Sequence, residues 1–372
     1  MSGIYIHIPF CNRRCNYCDF YLITNLNVTD KFLSSLKKEI SLYASLYGNM
    51  KFNSVYFGGG TPSVLSHTKF KELIDFLHVN FDLSKDSEIS MEANPEDFSE
   101  KNLSDYRAAG INRISFGVQS FLDSELKFLT RQHTSDEAHK VIKDALKYFD
   151  NVNLDIIYSL PSQTLNDIDI SLSKAIDLKV NHISAYTLTY EERTPLYKSL
   201  QKNLVTKNTD SKEGDFYNFV SGKLSSSGYD HYEVSNFAKE GFQCRHNLKY
   251  WEYGNYIGFG PSSHSMVNGL RWNNFRDIIK YNNMLSENSL PVEEKTVLSS
   301  EQKKFEYLML ALRSTGVDFE KYNENFGNSF SIEFSDSMND LLKFGLAETT
   351  DSKFYLNEKG YSIADEILAK YF

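Results

Sequence analysis

The sequence predicts an α/β fold built on parallel strands, followed by a smaller C-terminal unit. Six short β-rich runs recur along the first half of the chain, and stretches with helical periodicity separate them. Strands that alternate with helices run parallel and are joined by right-handed crossovers, which gives either a doubly wound sheet or a barrel. Periodicity does not choose between these two. With 372 residues, of which 41% are hydrophobic, the chain can fill one large core and a smaller one.

Residue patterns place the strands and the clearest helices. The predicted strands are Gly3–Ile8, Asn53–Phe57, Glu88–Ala93, Arg113–Val118, Val152–Tyr158 and His182–Leu188. The clearest helix spans Lys31–Tyr47, where apolar residues recur on one face. Thr29 or Asp30 is its expected N-cap, and Gly48 follows its end. A second long helix is predicted over Asp210–Ser226.

Three of the four cysteines lie in a tight loop directly after the first predicted strand. Cys11, Cys15 and Cys18 have C-x3-C-x2-C spacing. Three thiolates can hold a 4Fe–4S cluster and leave one iron free for a small-molecule ligand. Structural zinc is the alternative, but it usually takes four ligands, and Cys244 is more than two hundred residues away. No signal peptide is recognisable, so we expect a reducing compartment and no disulfide framework.

The residues around these cysteines resemble the radical S-adenosylmethionine (radical SAM) superfamily, in the branch related to oxygen-independent coproporphyrinogen III oxidase. The matching string reads Y-I-H-I-P-F-C-x3-C-x-Y-C-D-F from Tyr5 to Phe20. The resemblance implies a partial (βα)6 barrel of the TIM type, with function at the C-terminal ends of its strands. It also implies a 4Fe–4S cluster on the three cysteines and S-adenosylmethionine (SAM) as cosubstrate, with Tyr5 and Tyr17 among the contacts.

A glycine-rich turn, G-G-G-T-P from Gly58 to Pro62, follows the second predicted strand. Glycines let the backbone approach a ligand closely and expose N–H groups for an anion such as a carboxylate. A glycine triplet before proline more often marks only a tight turn. Its place next to the cysteine loop favours the functional interpretation. The resemblance assigns the turn to the methionine moiety of SAM, with Gly59, Gly60 and Thr61 as predicted contacts.

Four polar residues at or near predicted strand ends are further candidates for SAM contacts: Glu92, Gln119, Arg131 and Asp155. Glu92 ends a predicted strand. If it is buried it needs a partner, and the alternative is a surface or capping role. Arginine offers a fork of donors to a carboxylate, or it is a solvated surface charge. An aspartate inside an apolar strand would find a partner in a ribose hydroxyl. The resemblance places all four around SAM.

The chain departs from the family pattern in two stretches. After the fifth strand, Ser159 and Ser162 stand where the family usually has glycines, and serine is bulkier in a turn. Later, G-F-G-P-S-S-H-S resembles a family G-x-G-P-G-A-H-S stretch, with Ser262 and Ser263 in place of glycine and alanine.

A second motif, H-N-L-K-Y-W, begins at His246, two residues after Cys244. Imidazole and thiolate are two of the side chains that serve as axial haem ligands. Without a family, Cys244 is more commonly a buried small apolar residue and His246 a hydrogen-bonded polar one. The string resembles the H-N-x-x-Y-W motif of HemW-type haem chaperones, and the resemblance makes His246 a predicted haem contact.

A domain boundary is predicted within Ser286–Lys295, giving a barrel region over residues 1–290 and a C-terminal unit over 291–372. Ser299 opens a capping box for a helix, and Gly345–Glu348 with Lys353–Leu356 forms a hairpin before a final helix from Ser362. Helices followed by a small hairpin resemble a winged-helix fold. The segment is not markedly basic, so we expect no nucleic-acid partner, and we expect it to dock against the barrel.

Two functions follow from the resemblance: a haem chaperone that delivers haem to haem proteins such as respiratory enzymes, and an oxygen-independent coproporphyrinogen III oxidase. Phe20 stands where the oxidase branch has a fourth cysteine. The chain starts two residues before the first strand, without an extension to enclose a tetrapyrrole, and the H-N-x-x-Y-W string is present. These features favour the chaperone without oxidase activity, and leave open whether SAM is cleaved.

The expected partners are haem, recipient haem proteins and an electron donor such as flavodoxin or ferredoxin, with a homodimer also considered. A net charge of −9 favours solubility. No span approaches the roughly 20 apolar residues of a membrane helix, so we expect a cytoplasmic protein with at most peripheral membrane contact.

Overall fold

The computed structural model describes residues 1–372, and its centre is a sheet whose first six strands run parallel. These strands are β1 (Ser2–Ile8), β2 (Lys51–Gly59), β3 (Asp82–Ala93), β4 (Arg113–Gln119), β5 (Asn151–Tyr158) and β6 (His182–Thr187). They pair in sequential order, each parallel to the next. A doubly wound sheet would need that order to reverse at a switch point. The sheet is therefore the partial barrel that the resemblance implied, and all six predicted strands are confirmed.

Helices between the strands form the outer layer of the barrel. They are α1 (Thr29–Tyr47), α2 (His67–Asn80), α3 (Glu100–Ala108), α4 (Asp123–Phe128), α5 (Ser135–Ala145) and α6 (Leu165–Asp177). Their apolar faces join the strands in one hydrophobic core, whose burial holds the wall together. The predicted N-cap of α1 was wrong. The helix follows Val28 and has no side-chain cap, because the short 3-10 turn Leu26–Val28 leads straight into it.

Short strands extend the sheet at both edges. The elements after β6 are α7 (Pro195–Gln201), α8 (Asp210–Ser226), β7 (Asp230–Glu233), β8 (Asn236–Ala238), α9 (Arg245–Trp251), β9 (Tyr256–Phe259), β10 (His264–Val267), β11 (Leu270–Asn274), α10 (Ile278–Ser286) and β12 (Val292–Val297). Strands β9 to β12 continue outward from β1, and β8 and β7 continue from β6. The helix predicted over Asp210–Ser226 is confirmed as α8.

The C-terminal unit has its own core and a three-stranded antiparallel sheet. It contains α11 (Ser300–Leu312), β13 (Val317–Asp318), α12 (Phe319–Phe326), α13 (Phe330–Glu333), α14 (Ser335–Lys343), β14 (Ala347–Thr349), β15 (Lys353–Leu356), α15 (Glu358–Tyr361) and α16 (Ala364–Tyr371). Helices α11 to α14 precede the β14–β15 hairpin, and β13 joins it in the strand order β13-β15-β14, which matches the predicted winged-helix arrangement. The predicted capping box at Ser299 is confirmed.

The C-terminal unit docks against the barrel through a bidentate ion pair. Arg271 of β11 donates to both carboxylate oxygens of Glu306 in α11, at 2.8 and 2.7 Å. Strand β12 pairs with β11, so the large sheet extends to Val297. The predicted division at residues 290 and 291 stays a prediction. No helix combines the length and apolar character that crossing a bilayer requires.

Glu39 ties α1 to the added strands. Its side chain is fully buried and accepts hydrogen bonds from the Gly260 backbone N–H at 2.9 Å, Asn274 Nδ2 at 2.6 Å and the Tyr281 hydroxyl at 2.6 Å. Burial raises the pKa of this carboxyl to about 7. From the sequence, Glu39 is only one residue of the predicted helix over Lys31–Tyr47. Its role in joining α1 to the added strands depends on tertiary contacts that the sequence pattern does not show.

We expect Glu39→Ala to lower the free energy of unfolding by about 3 kcal/mol or more, because three buried donors lose their acceptor. Urea denaturation followed by circular dichroism measures this change. The matched control is Glu72→Ala, which breaks an exposed ion pair with Lys37 and should cost less than about 1 kcal/mol. Equal unfolding midpoints for the two variants would contradict the assignment.

Candidate functional site

The cysteine loop lies at the C-terminal ends of the barrel strands. The Cys11 sulfur is 3.0 Å from the Thr61 hydroxyl, just beyond β2, and Arg131 Nη1 donates to the Cys15 sulfur at 3.6 Å. Asn16 fixes the loop from the side, since its backbone N–H donates to the Thr130 hydroxyl at 3.0 Å. The loop thus meets the glycine-rich turn and the arginine that the sequence singled out.

The chemistry of the three thiols fits a bound cluster. Burial raises the pKa of Cys18 to about 11, and the nearby sulfurs of Cys15 and Cys11 add to the rise. A positively charged metal group next to Cys18 would offset this cost of ionising its thiol. Three thiolates from one short loop are a ligand set that can hold a 4Fe–4S cluster.

Cys244 lies at the opposite end of the barrel, so it is not a fourth ligand. Its side chain is fully buried, and its sulfur is 3.5 Å from a carboxylate oxygen of Glu88. Glu88 pairs with Ser54 well below the mouth of the barrel. Structural zinc, which needs four ligands, therefore has no fourth cysteine here.

The glycine-rich turn packs tightly against β1 and the cysteine loop. Gly59 has φ of +110°, and a Cβ there would lie 2.5 Å from the His7 ring. A Cβ on Gly60 would lie 2.5 Å from the Phe10 carbonyl oxygen. Both positions therefore exclude any larger residue. These close contacts fix the position of the cysteine loop relative to the C-terminal ends of β1 and β2.

The sequence predicts free N–H groups for an anion at this turn, but the N–H groups of Gly59, Gly60 and Thr61 are hydrogen-bonded within the protein. The Gly59 N–H donates to Glu92 at 3.1 Å, the Gly60 N–H to the Ile8 carbonyl at 2.8 Å, and the Thr61 N–H to the Phe10 carbonyl at 2.6 Å. That expectation was wrong, because the backbone groups are used to hold neighbouring elements. A ligand at the turn would meet the glycine surface and the Thr61 hydroxyl.

Glu92 is a partly buried carboxylate at the end of β3 with two donors. Tyr56 donates its hydroxyl hydrogen to Glu92 at 3.0 Å, in addition to the Gly59 N–H. Burial raises the pKa of Glu92 to about 7, and the charge of Asp155 adds to the rise. The surface role considered from sequence does not apply. A carboxylate with a raised pKa beside the mouth of a barrel is a candidate functional group.

Arg131 and Gln119 both lie beside Gly117 of β4. Arg131 Nη2 donates to Asn94 Oδ1 at 2.6 Å and to the Gly117 carbonyl at 2.7 Å. Gln119 has φ of +70° beside an irregularity in the pairing of β4 with β5. Such a conformation costs a non-glycine residue on the order of 1 kcal/mol or more, and it clusters at ligand sites.

The remaining predicted SAM contacts also line the barrel or its mouth. Asp155 accepts from Asn153 Nδ2 at 2.8 Å and from the Ser115 hydroxyl at 3.2 Å, so it has partners before any ribose binds. Tyr5 shares a hydrogen bond of 3.2 Å with His7 Nδ1. Burial raises the pKa of Tyr17, and the nearby Arg131 charge opposes that rise.

The serines that replace family glycines adopt glycine-like conformations. Ser159, Ser162 and Ser262 have φ of +61°, +62° and +68°. L-residues rarely adopt this region, which explains why glycine is usual there. The backbone path of the family pattern is kept, at a conformational cost.

His246 lies inside the floor of the barrel rather than on an accessible surface. Its ring is fully buried, with Nδ1 3.1 Å from the Ser54 hydroxyl and Nε2 2.8 Å from the Tyr250 hydroxyl. Its backbone N–H donates to Glu88 at 3.1 Å. Burial lowers the pKa of His246 to about 3, so the ring is neutral. The predicted haem contact stays a prediction, and coordination would require α9 to leave the floor.

Sequence reasoning missed several polar residues that face the barrel interior. Tyr56 donates to Glu92 and Asn94 accepts from Arg131, and both partners are more than thirty residues away in the sequence. Arg113 is fully buried, and its Nε and Nη1 have no partner; the neighbouring Ser90 hydroxyl on β3 has none either. An arginine opening an apolar strand was the available signal for Arg113.

Comparisons with known proteins agree with this geometry. A family model of the radical SAM superfamily matches residues 5–175. The Bacillus subtilis protein named "Heme chaperone HemW" is 34% identical over 376 residues, covering 100% of this chain and 99% of its own. The chain belongs to the HemW family of radical SAM proteins. The Escherichia coli HemW is 38% identical over 71% of this chain and 70% of its own length.

The fold is also that of a solved radical SAM enzyme. The Escherichia coli coproporphyrinogen III oxidase, HemN, superposes with a TM-score of 0.84 over 99% of this chain and 89% of its own, at 22% identity. That likeness shows the fold. Membership of the HemW family and of the radical SAM superfamily implies a 4Fe–4S cluster and SAM, and the residues at the barrel mouth fit both.

Proposed function

We propose that this chain is a haem chaperone, which binds haem and delivers it to haem proteins such as respiratory enzymes. One observation carries the proposal: relatives named haem chaperone HemW match essentially the whole chain at 34% and 32% identity. The H-N-L-K-Y-W string from His246 to Trp251 supports it. In this proposal His246 contacts haem after α9 has moved away from the barrel floor.

We propose that the mouth of the barrel holds the cluster and SAM. Cys11, Cys15 and Cys18 would ligate three irons, and the SAM contacts would be Tyr5, Tyr17, Gly59, Gly60, Thr61, Glu92, Gln119, Arg131 and Asp155. When bound and reduced, such a cluster supplies an electron for cleavage of the SAM sulfonium. Arg131, held at 2.6 Å from Asn94, would orient a carboxylate, and Glu92 would accept a hydrogen bond from a SAM donor group.

Tyr56→Phe should shift the pH dependence of SAM binding upward. Because the Tyr56 hydroxyl stabilises the ionised form of Glu92, its removal raises the Glu92 pKa above its present value of about 7, by about one unit for one hydrogen bond. SAM affinity should then weaken near pH 7 and recover near pH 8. Equilibrium dialysis of SAM against anaerobic protein from pH 6 to 8.5 measures the midpoint. Tyr47→Phe on α1 is the control, and an unchanged midpoint in Tyr56→Phe contradicts the proposed role of Glu92.

Coproporphyrinogen III oxidation is the second candidate, favoured by the fold shared with HemN. At 22% identity that likeness concerns the fold, and function depends on the site. Phe20 occupies the position of the oxidase branch's fourth cysteine, and its side chain is 65% exposed. We therefore propose no oxidase activity for this chain.

We also propose an electron donor, an oligomeric state and a cellular location for this chain. An electron donor such as flavodoxin or ferredoxin would reduce the cluster, and a homodimer and a cytoplasmic location fit a carrier that serves several recipients.

The decisive experiment for the chaperone function loads anaerobically reconstituted protein with haem and mixes it with an apo-cytochrome. We expect about one haem per chain, as one axial site allows, and transfer that is faster than from free haem. Absence of haem binding would overturn the proposed function.

A further inference from the structure

A continuous chain of hydrogen bonds connects the floor of the barrel with Asp155. The Cys244 backbone N–H meets the Tyr232 hydroxyl at 3.3 Å, and that hydroxyl meets His182 Nε2 at 2.7 Å. The other ring nitrogen of His182 meets Asn153 Oδ1, and Asn153 Nδ2 donates to Asp155 at 2.8 Å. The first four residues are buried, and Asp155 is partly exposed. The chain thus joins the start of the H-N-L-K-Y-W segment to a proposed SAM contact.

Strand register brings the central members of this chain together. His182 opens β6 directly beside Asn153 of β5, and Asn153 lies two residues before Asp155 on the same face of that strand. Tyr232 belongs to β7, which β8 connects to β6. Because the His182 side chain is fully buried, it can act on a ligand only through its partners.

The hydrogen bonds of this chain all run in one direction. An ionised Asp155 carboxylate only accepts, so the amide nitrogen of Asn153 faces it and the amide oxygen faces His182. His182 Nδ1 then carries the proton that this oxygen accepts. Burial lowers the pKa of His182 well below its usual value, so the ring is neutral and Nε2 is an acceptor. The Tyr232 hydroxyl therefore donates to Nε2, and its oxygen accepts the Cys244 N–H.

His182 fixes the orientation of the Asn153 amide. A half-turn of this amide would place its oxygen against the Asp155 carboxylate. The Ser115 and Ser184 hydroxyls, 2.6 and 3.0 Å from Asn153 Nδ2, do not prevent the turn, because a hydroxyl both donates and accepts. The His182 Nδ1–H only donates, so it selects one orientation. Burial raises the pKa of Asp155, and hydrogen bonds from Ser184 and Asn153 oppose that rise.

We propose that His182 is a positioning residue for SAM binding, which holds Asn153 and thereby keeps Asp155 ready to accept from a ribose hydroxyl. The inference rests on the SAM contact proposed at Asp155 and on the haem contact proposed at His246. It adds a residue that touches neither ligand but sets the geometry and charge of one that does.

The same chain links the SAM site to the position of α9. Cys244 immediately precedes α9, so its N–H leaves Tyr232 when α9 leaves the floor. A hydroxyl that has lost this donor is itself a weaker donor, and it can turn away from His182. Haem bound at His246 should therefore weaken SAM binding about fivefold, the effect of one hydrogen bond. By linkage, SAM should weaken haem binding by the same factor.

Three variants of His182 test the positioning role in haem-free protein that carries the cluster. His182→Ala should weaken SAM binding about tenfold. His182→Asn should restore most of this loss, because its amide nitrogen takes the place of Nδ1 and donates to Asn153. His182→Gln places its amide near Nε2 instead, so it should restore little. Equilibrium dialysis of SAM measures these affinities. Equal SAM affinities in the Asn and Gln variants would overturn the positioning role.

Tyr232→Phe tests the link to α9 and leaves His182 in place. Its SAM affinity should be the same with and without saturating haem, whereas the wild type should lose about fivefold. The matched control is Tyr229→Phe, a buried tyrosine outside the chain whose hydroxyl donates to the Val180 carbonyl at 2.7 Å. It should keep the wild-type response to haem. A haem effect that persists in Tyr232→Phe, or that is lost equally in Tyr229→Phe, would overturn the link.

These measurements separate failure of the positioning role from failure of the chaperone function. A wild type that binds no haem contradicts the chaperone function and the link, while the His182 variants still decide the positioning role. A wild type that binds haem with no change in SAM affinity contradicts the link alone. A wild type that binds no SAM contradicts the proposed SAM site and the role of His182 with it.

Discussion

Replacing any one of Cys11, Cys15 and Cys18 with alanine is expected to remove the cluster, taking iron and acid-labile sulfide from about four atoms each per chain to near zero. In the proposed site three thiolates would be the whole protein ligand set, and two could not hold a cubane whose fourth iron is already without a cysteine. Iron and sulfide analysis of anaerobically reconstituted proteins measures the effect.

Cys244→Ala is the matched control for these variants, because Cys244 is buried beside Glu88 at the far end of the barrel. It should retain a full complement of iron and sulfide. If Cys244→Ala lost the cluster as completely as Cys15→Ala, or if the wild type contained zinc in place of iron, ligation by the loop alone would be wrong.

The second large effect concerns His246. His246→Ala should abolish haem binding if the proposed contact is correct, and should also lower stability by about 3 kcal/mol, because it removes a buried ring and leaves two polar partners unsatisfied. Ser54→Ala should act in the opposite direction on haem. It removes one hydrogen bond that keeps the ring in the floor, worth about 1 kcal/mol, so the released state becomes about fivefold more populated.

Absorption titrations with haem and urea denaturation of both variants separate these effects. Tighter haem binding by Ser54→Ala, together with reduced stability, supports coordination after release of α9. Weaker haem binding by both variants in proportion to their loss of stability would instead mean that His246 acts only by packing under Tyr56, whose ring stacks on it at 5.2 Å.

The six parallel strands were predictable because each is a short β-rich run with helical periodicity on either side. The same reasoning located the cysteine loop and the glycine turn, since both follow strands directly. The sequential strand order was not readable from periodicity, and the choice of a barrel came from the family resemblance. The edge strands β7 to β12 were missed because runs of three to six residues carry little periodicity.

The polar interior of the barrel was harder to predict than its wall. Glu39, Tyr56 and Arg113 owe their roles to partners far away in the sequence. The backbone N–H groups of the glycine turn illustrate the same limit. Local chemistry suggested free donors, but Glu92 and two carbonyls from the neighbouring β1 segment occupy them.

The most direct test of the chaperone account is one anaerobic incubation of the reconstituted protein with SAM, a reductant, haem and coproporphyrinogen III. The account predicts that each chain retains about one haem and that all the coproporphyrinogen III is recovered unchanged. Formation of protoporphyrinogen IX, with release of carbon dioxide from the propionates, would contradict it and identify the chain as an oxidase.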